Sequence, residues 1–180
     1  MDKTKNSQLF KIILTAMLIA LNVVIERFLA FNVWNQSISF SFITIAFAAV
    51  FLGIPYAVVV GALGDLIGAI LFPFGSYFIG FTITNMLAAL ITAIFIYKKA
   101  SVINITASVI INKITTTLLL NSLWITILYR DSLDAYFAVF ISRLPQAAIM
   151  AIVEIIFIIL LFTEKSKIRI QLNKVMDKFI

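Results

Sequence analysis

Six side chains that carry charge at neutral pH stand inside long apolar stretches of this sequence: Glu26, Arg27, Asp65, Lys113, Arg143 and Glu154. Charge in hydrocarbon is expensive, so each of them marks a functional position unless a neighbour neutralises it. Three are acids and three are bases, which leaves pairing open: Lys113 has both Asp65 and Glu154 as potential partners. Polar and aromatic residues accompany them: Asn85, Asn121, Trp124, Gln146, Trp34 and Tyr77. The chemistry this set suits is recognition. An arginine holds a carboxylate in a two-point fork. Amides hydrogen-bond the edge of a flat heterocycle, and aromatic rings stack on its faces.

Bond-breaking chemistry has little to work with. The chain contains no histidine and no cysteine. That removes the commonest general base, the commonest metal ligand, thiolate metal sites and disulfides. There is no phosphate-binding loop, no HExxH and no Gly-x-Ser-x-Gly, so no catalytic residue, metal or cofactor is expected, and any ATP hydrolysis must come from another protein.

The elements that must position these residues are membrane spans. Hydrophobic residues make up 63% of the 180 and charged residues 12%, with a mean hydropathy of +1.12. A water-soluble domain is about half apolar and a quarter charged. About 20 residues of helix cross the hydrocarbon layer. The sequence predicts an all-α membrane protein, one bundle of six transmembrane helices in a single domain. The spans are expected at about 8–31, 38–52, 56–72, 77–97, 102–129 and 135–162, with a basic, amphipathic tail over 163–180. Polar breaks at 32–37, Gly53-Ile54-Pro55, Pro73–Ser76, Lys98-Lys99 and Arg130–Asp134 separate them. The first apolar stretch is too long for a signal peptide and reads as a retained helix.

Orientation follows from the basic residues. With six spans, ten lysines and arginines of the tails and loops share one side and only Arg130 lies on the other. Both termini are therefore expected in the cytoplasm. The net charge of +6 is spent on this topology, and no nucleic-acid face results.

Depth then sorts the polar residues. Arg27 lies 19 residues into the first span, about 28 Å from its start, near the outer surface. Arg143 lies eight residues into the sixth, about 12 Å below the outer end. Asn85, Asn121, Trp124 and Gln146 fall at similar depth, with Tyr77 and Trp34 at the outer mouth. Asp65 and Lys113 lie near mid-depth, and Glu154 lies towards the cytoplasm. Together they outline a pocket open to the outside. Each residue taken singly has a plainer reading. Amides glue membrane helices, Arg27 snorkels to headgroups, and Trp34 belongs to an aromatic belt. Small residues add a separate signal. Ala16 and Ala20 stand one turn apart, as do Gly61, Gly64 and Gly68, and small faces let helices approach closely. The glycines read as internal packing.

The stretch from Leu52 to Thr82, LGIPYAVVVGALGDLIGAILFPFGSYFIGFT, resembles the S components of energy-coupling-factor transporters, most of all the folate-specific group. Leu119–Trp124, the pair Arg143 and Gln146, and Ala16-x-x-x-Ala20 are similar to that group as well. The resemblance implies a high-affinity vitamin-binding subunit in a bacterial plasma membrane, with folate as cargo. Its partners would be a transmembrane coupling subunit, docked at Ala16 and Ala20, and two cytoplasmic ATPases. Arg27, Asn85, Asn121, Trp124, Arg143 and Gln146 would line the pocket, and the loops 32–37 and 73–77 would gate it. The alternatives are an S component for riboflavin, pantothenate or a pyrimidine precursor, a cargo-free membrane scaffold, and a membrane-embedded enzyme.

Overall fold

The computed structural model describes residues 3–33, 36–73, 77–129 and 135–176. Five helical stretches are long and apolar enough to cross a membrane: Lys5–Phe28, Ile54–Leu71, Ile79–Ile96, Val102–Tyr129 and Ala135–Phe162. The remaining apolar helix, Phe42–Phe51, is shorter.

The first helix, α1 (Lys3–Phe28), shows the logic of the whole molecule. Its outward side carries Leu9, Ile12, Ile13, Met17, Leu21 and Val24, all exposed, while Thr15 and Asn22 are buried. Leu18 and Val23 are buried beside them, so the inner side mixes polar and apolar residues while the outer side is apolar, the arrangement lipid requires.

A short antiparallel hairpin follows, β1 (Phe31–Val33) and β2 (Gln36–Ile38), in the register Phe31 to Ile38 and Val33 to Gln36. Ile38 is therefore part of a strand, and the next helix, α2 (Phe42–Phe51), starts later than the apolar run suggests. Gly53 turns the chain. The amide N–H groups of Leu52 and Gly53 both donate to Ala48 O at 2.9 Å, and Gly53 has φ of 105°, which only glycine adopts without strain. Pro55 then opens α3 (Ile54–Leu71), where a missing N–H costs nothing.

Helix α3 packs on α1 and on α4 (Ile79–Ile96) through its small residues. A methyl group at Gly61 would stand 2.8 Å from Ala89 Cβ and 2.9 Å from the Asn85 carbonyl oxygen of α4. Gly64 faces Asn22 of α1, and a Cβ at Gly68 would lie 2.8 Å from Arg27 Nε. These glycines are contact points between helices, as the sequence suggests. Gly61→Val is expected to force α3 and α4 apart against backbone. It should destabilise the fold by about 1–3 kcal/mol, read as a lower midpoint in thermal melts followed by circular dichroism in detergent.

The fifth apolar stretch is not one continuous α-helix. It comprises α5 (Val102–Asn112), a π-helical segment (Lys113–Leu120) and α6 (Asn121–Tyr129). Ser101 caps its start, its Oγ accepting from the Asn104 amide at 3.3 Å. The long helix α7 (Ala135–Phe162) contains Pro145, and the basic α8 (Lys167–Met176) follows it. One end of the bundle is packed solid by small and aliphatic side chains, among them Ala46, Ala49, Leu52, Ala93, Ile96, Ile105 and Phe162. Towards the other end the helices part around a cavity.

Candidate functional site

The cavity has a volume of about 510 Å³, a size that suits a drug-sized solute. Three lanes of side chains build it. On α7 the lane is Arg143, Gln146, Ala147, Met150, Glu154 and Ile158, the three- and four-residue spacing of one helix face. Arg143 and Ile158 are 15 residues apart, so the cavity follows α7 for about 22 Å. It is a shaft. On α4 and its N-cap the lane is Phe78, Phe81, Asn85, Ala88 and Thr92, with Thr84 beside it. The third lane runs through Val109, Lys113, Thr117, Asn121, Ile125 and Tyr129, in steps of four. A regular α-helix drifts by about 40° for every step of four. The π segment turns more slowly per residue and cancels part of that drift, which keeps the lane on the shaft.

All six intramembrane charges line this one space: Glu26, Arg27, Asp65, Lys113, Arg143 and Glu154. Their pairing resolves what the sequence left open. Lys113 is ion-paired and hydrogen-bonded to Glu154. Asp65 takes Arg27 instead, Nη2 to Oδ1 at 3.8 Å, and accepts the Thr82 hydroxyl. Asp65 and Lys113 therefore do not neutralise each other. Arg27 does not snorkel to headgroups, because its side chain is only 10% exposed and turned inward to Asp65. Glu26 accepts from Asn22 Nδ2 at 3.4 Å. Arg143 differs. Among the described residues it makes no ion pair, and its Nε is buried without a hydrogen-bond partner. Asn121 Oδ1 is likewise buried and unpartnered.

The structure brings together most of the residues singled out from the sequence. Arg27, Tyr77, Asn85, Asn121, Arg143 and Gln146 all line the shaft. Trp124 does not: its indole N–H donates to Thr84 Oγ1 at 3.0 Å and its ring packs on Phe78 with centroids 5.5 Å apart. It backs two wall residues and is not itself among the wall residues. Trp34 lies outside the described residues. Tyr77, at the mouth, shares a hydroxyl hydrogen bond of 3.1 Å with Thr82, which ties it to the Asp65–Arg27 pair. Sequence reasoning missed Asn112, Thr116, Phe78 and Phe81 as wall residues. Asn112 carried a usable signal, a buried-type position next to a charged one. The phenylalanines, among 17 in the chain, carried none.

No group of three or more histidine, cysteine or carboxylate side chains that could hold a metal occurs among the described residues. The helix surface away from the shaft bears a second feature. Ile12, Thr15, Ala16, Ile19, Tyr56 and Val59 line an almost wholly apolar groove of about 290 Å³ between α1 and α3. Ala20 is exposed on the same helix but is not part of the groove's lining.

Comparison with known proteins places this geometry. Residues 10–162 match the model of the family described as "ECF transporter, substrate-specific component". The folate transporter FolT of Clostridium novyi (strain NT) is 35% identical over 136 residues, 75% of this chain and 77% of that protein. FolT of Leuconostoc mesenteroides subsp. mesenteroides is 32% identical over 124 residues, 68% of this chain and 66% of that protein. The crystal structure of FolT bound with folic acid superimposes with a TM-score of 0.74 at 31% identity, covering 81% of this chain and 87% of that one.

Proposed function

The chain belongs to the substrate-specific components of ECF transporters, and from that membership we propose that it captures folate at the outer face of a bacterial plasma membrane. The observation that carries the reading is the shaft itself: every intramembrane charge faces it, and Arg143 enters it without a counter-ion among the described residues. A buried guanidinium left in that state calls for an anion. A carboxylate-bearing solute with a flat ring, stacked among Phe78, Phe81 and Phe42, meets both demands. Folate is such a solute, and it is the cargo in the names of the relatives.

In this reading the chain is one membrane domain of six spans with both ends in the cytoplasm. The basic tails support it, since only an even number of crossings puts them on one side. Helix α2 is the short crossing. Ser39 and Ser41 precede or begin it and line the shaft, and irregular backbone is tolerated at membrane depth where it borders a cavity. Arg27, Tyr77, Asn85, Asn121, Arg143 and Gln146 contact the cargo, Trp124 supports the wall, and Trp34 belongs to the substrate-binding set. Delivery needs a separate coupling subunit, docked over Ala16 and Ala20, and two ATPases.

Purified protein in detergent, titrated with folic acid while tryptophan emission is followed, is expected to show a saturable change complete by micromolar ligand. Trp124 reports through Thr84 and Phe78. No saturable change at micromolar folic acid overturns the reading.

A further inference from the structure

Helix α8 presents a face that neither the bundle nor the shaft accounts for. It follows α7 through a short turn in which the Ser166 amide N–H donates to Thr163 O at 2.8 Å. Ser166 Oγ donates to Leu160 O at 2.7 Å, and Arg169 Nη1 donates to Phe162 O at 3.0 Å. Two carbonyls near the C-terminal end of α7 are thereby engaged, one of them by a cation at the negative end of the helix dipole. At the last residue of α8, Met176 is 7% exposed and packs in the same cluster as Phe162. The helix is thus held at both its ends against the packed end of the bundle.

A turn of 100° per residue sorts the other side chains. Arg169, Leu172 and Met176 share the side that is at least partly covered. The apolar arc runs on past that side to Ile168 and Val175, which are 46% and 52% exposed. Lys167 and Lys174, both exposed, stand beyond them, and Ile170 is the one apolar residue on the far side of α8. Protein covers part of the arc, and none of the described residues covers the rest. An interfacial helix has this build: its apolar arc sinks to the boundary of headgroups and acyl chains, and lysine stems reach back to the headgroups.

Charge names the partner. Lys165, Lys167, Arg169 and Lys174 follow directly on α7, and Glu164 is the one acid between Thr163 and Met176. Val102–Tyr129 crosses and Ala135–Phe162 returns, so the exposed Lys98 and Lys99 lie at the same end of the bundle as α8. Basic clusters immediately beyond a spanning helix attract anionic lipid. Lipid is also at hand, because Ile149, Ile152, Ile156 and Leu160 form an exposed apolar stripe down α7 towards this end.

Resting on the membrane topology proposed above and not on the cargo, we propose that α8 is a docking site for anionic phospholipid of the cytoplasmic leaflet. Ile168 and Val175 enter the upper acyl region, and Lys165, Lys167 and Lys174 hold the phosphates. Arg169 is engaged by α7 and positions the helix. Because α7 carries the lane from Arg143 to Ile158, this contact holds the inner end of that lane at headgroup depth.

The chain has no cysteine, so one introduced thiol carries one label. Val175→Cys and Ile170→Cys, each labelled with nitrobenzoxadiazole, are placed as full chains in phosphatidylcholine nanodiscs. The discs contain equal fractions of either spin-labelled phosphatidylglycerol or spin-labelled phosphatidylcholine, with the nitroxide at the top of the acyl chain. The label at position 175 is expected to be quenched about twofold or more strongly by the anionic lipid than by the neutral one, an enrichment that a few lysines supply. The label at position 170 is expected to be quenched weakly by both. The preference should fall towards parity in high salt, and in the variant that combines Lys165→Gln, Lys167→Gln and Lys174→Gln, whose folic acid binding in detergent should be unchanged. Equal quenching by the two lipids, or none at position 175, overturns the proposal. Should the triple variant fail to fold, the salt series on the parent chain decides, and a preference that survives high salt overturns it too. Both faces of a nanodisc carry the same lipids, so these results do not depend on which end is cytoplasmic. Labelling of Ile170→Cys by a membrane-impermeant maleimide in intact cells would put α8 outside and remove the inner leaflet as its partner.

Discussion

Arg143→Gln weakens folic acid binding about tenfold to a hundredfold, the value of a charge-assisted hydrogen bond pair in a site screened from water. The effect is expected to be large because, among the described residues, no carboxylate pairs with this guanidinium. Arg27 has Asp65 and Lys113 has Glu154, so replacing either of those cations also strands a buried acid and confounds binding with folding. At Arg143 the opposite holds. Removing an uncompensated cation relieves the cargo-free protein, so the variant is expected to melt at or above the wild-type temperature while losing cargo. Arg143→Lys keeps the charge and loses the fork, and should fall between. Equal affinities of wild type and Arg143→Gln in the same calorimetric titration would show that the carboxylate rests elsewhere.

Ala16→Trp is expected to abolish assembly with the coupling subunit and to leave folic acid binding within about twofold. Ala16 borders the apolar groove between α1 and α3, and a buried indole occupies about 150–250 Å². It would fill the groove and stand out from the helix, where a partner helix needs close approach. The inward side of α1 carries Asn22, Glu26 and Arg27, so the outward change does not reach the shaft. The measurement is co-elution of the purified partners on size exclusion, with calorimetry on the isolated subunit. Ala20→Trp, outside the groove's lining, should have the smaller effect of the two. Co-elution of Ala16→Trp at wild-type yield would place the docking surface on another face.

Much of this was legible in the sequence, for reasons that differ by residue. Spans were visible because lipid demands an apolar exterior whatever the packing inside. The charges were visible because hydrocarbon tolerates so few that each one must be spent on something, and all six are spent on one cavity. Partnering was not legible. Whether Lys113 meets Asp65 or Glu154 depends on how α3, α7 and the π segment are arranged in space, and spacing along one chain does not encode that. Trp124 was misplaced by one layer for a related reason: depth fixes how far down a residue sits, and rotation about its helix, which decides wall or backing, was invisible through a change of helix type. Ile38 was lost to the hairpin because strand pairing with Phe31 is a two-segment property.

That change of helix type carries one more consequence. Within Lys113–Leu120 the chain holds more residues per revolution than its flanks, like a thread cut at a coarser gauge. Shortening it by a single threonine would let ordinary winding resume and swing the whole outer portion, Asn121, Ile125 and Tyr129 included, by about 100°. Chain length over these eight residues is thus itself a tuning peg for what the cargo touches, and point substitutions leave that adjustment alone.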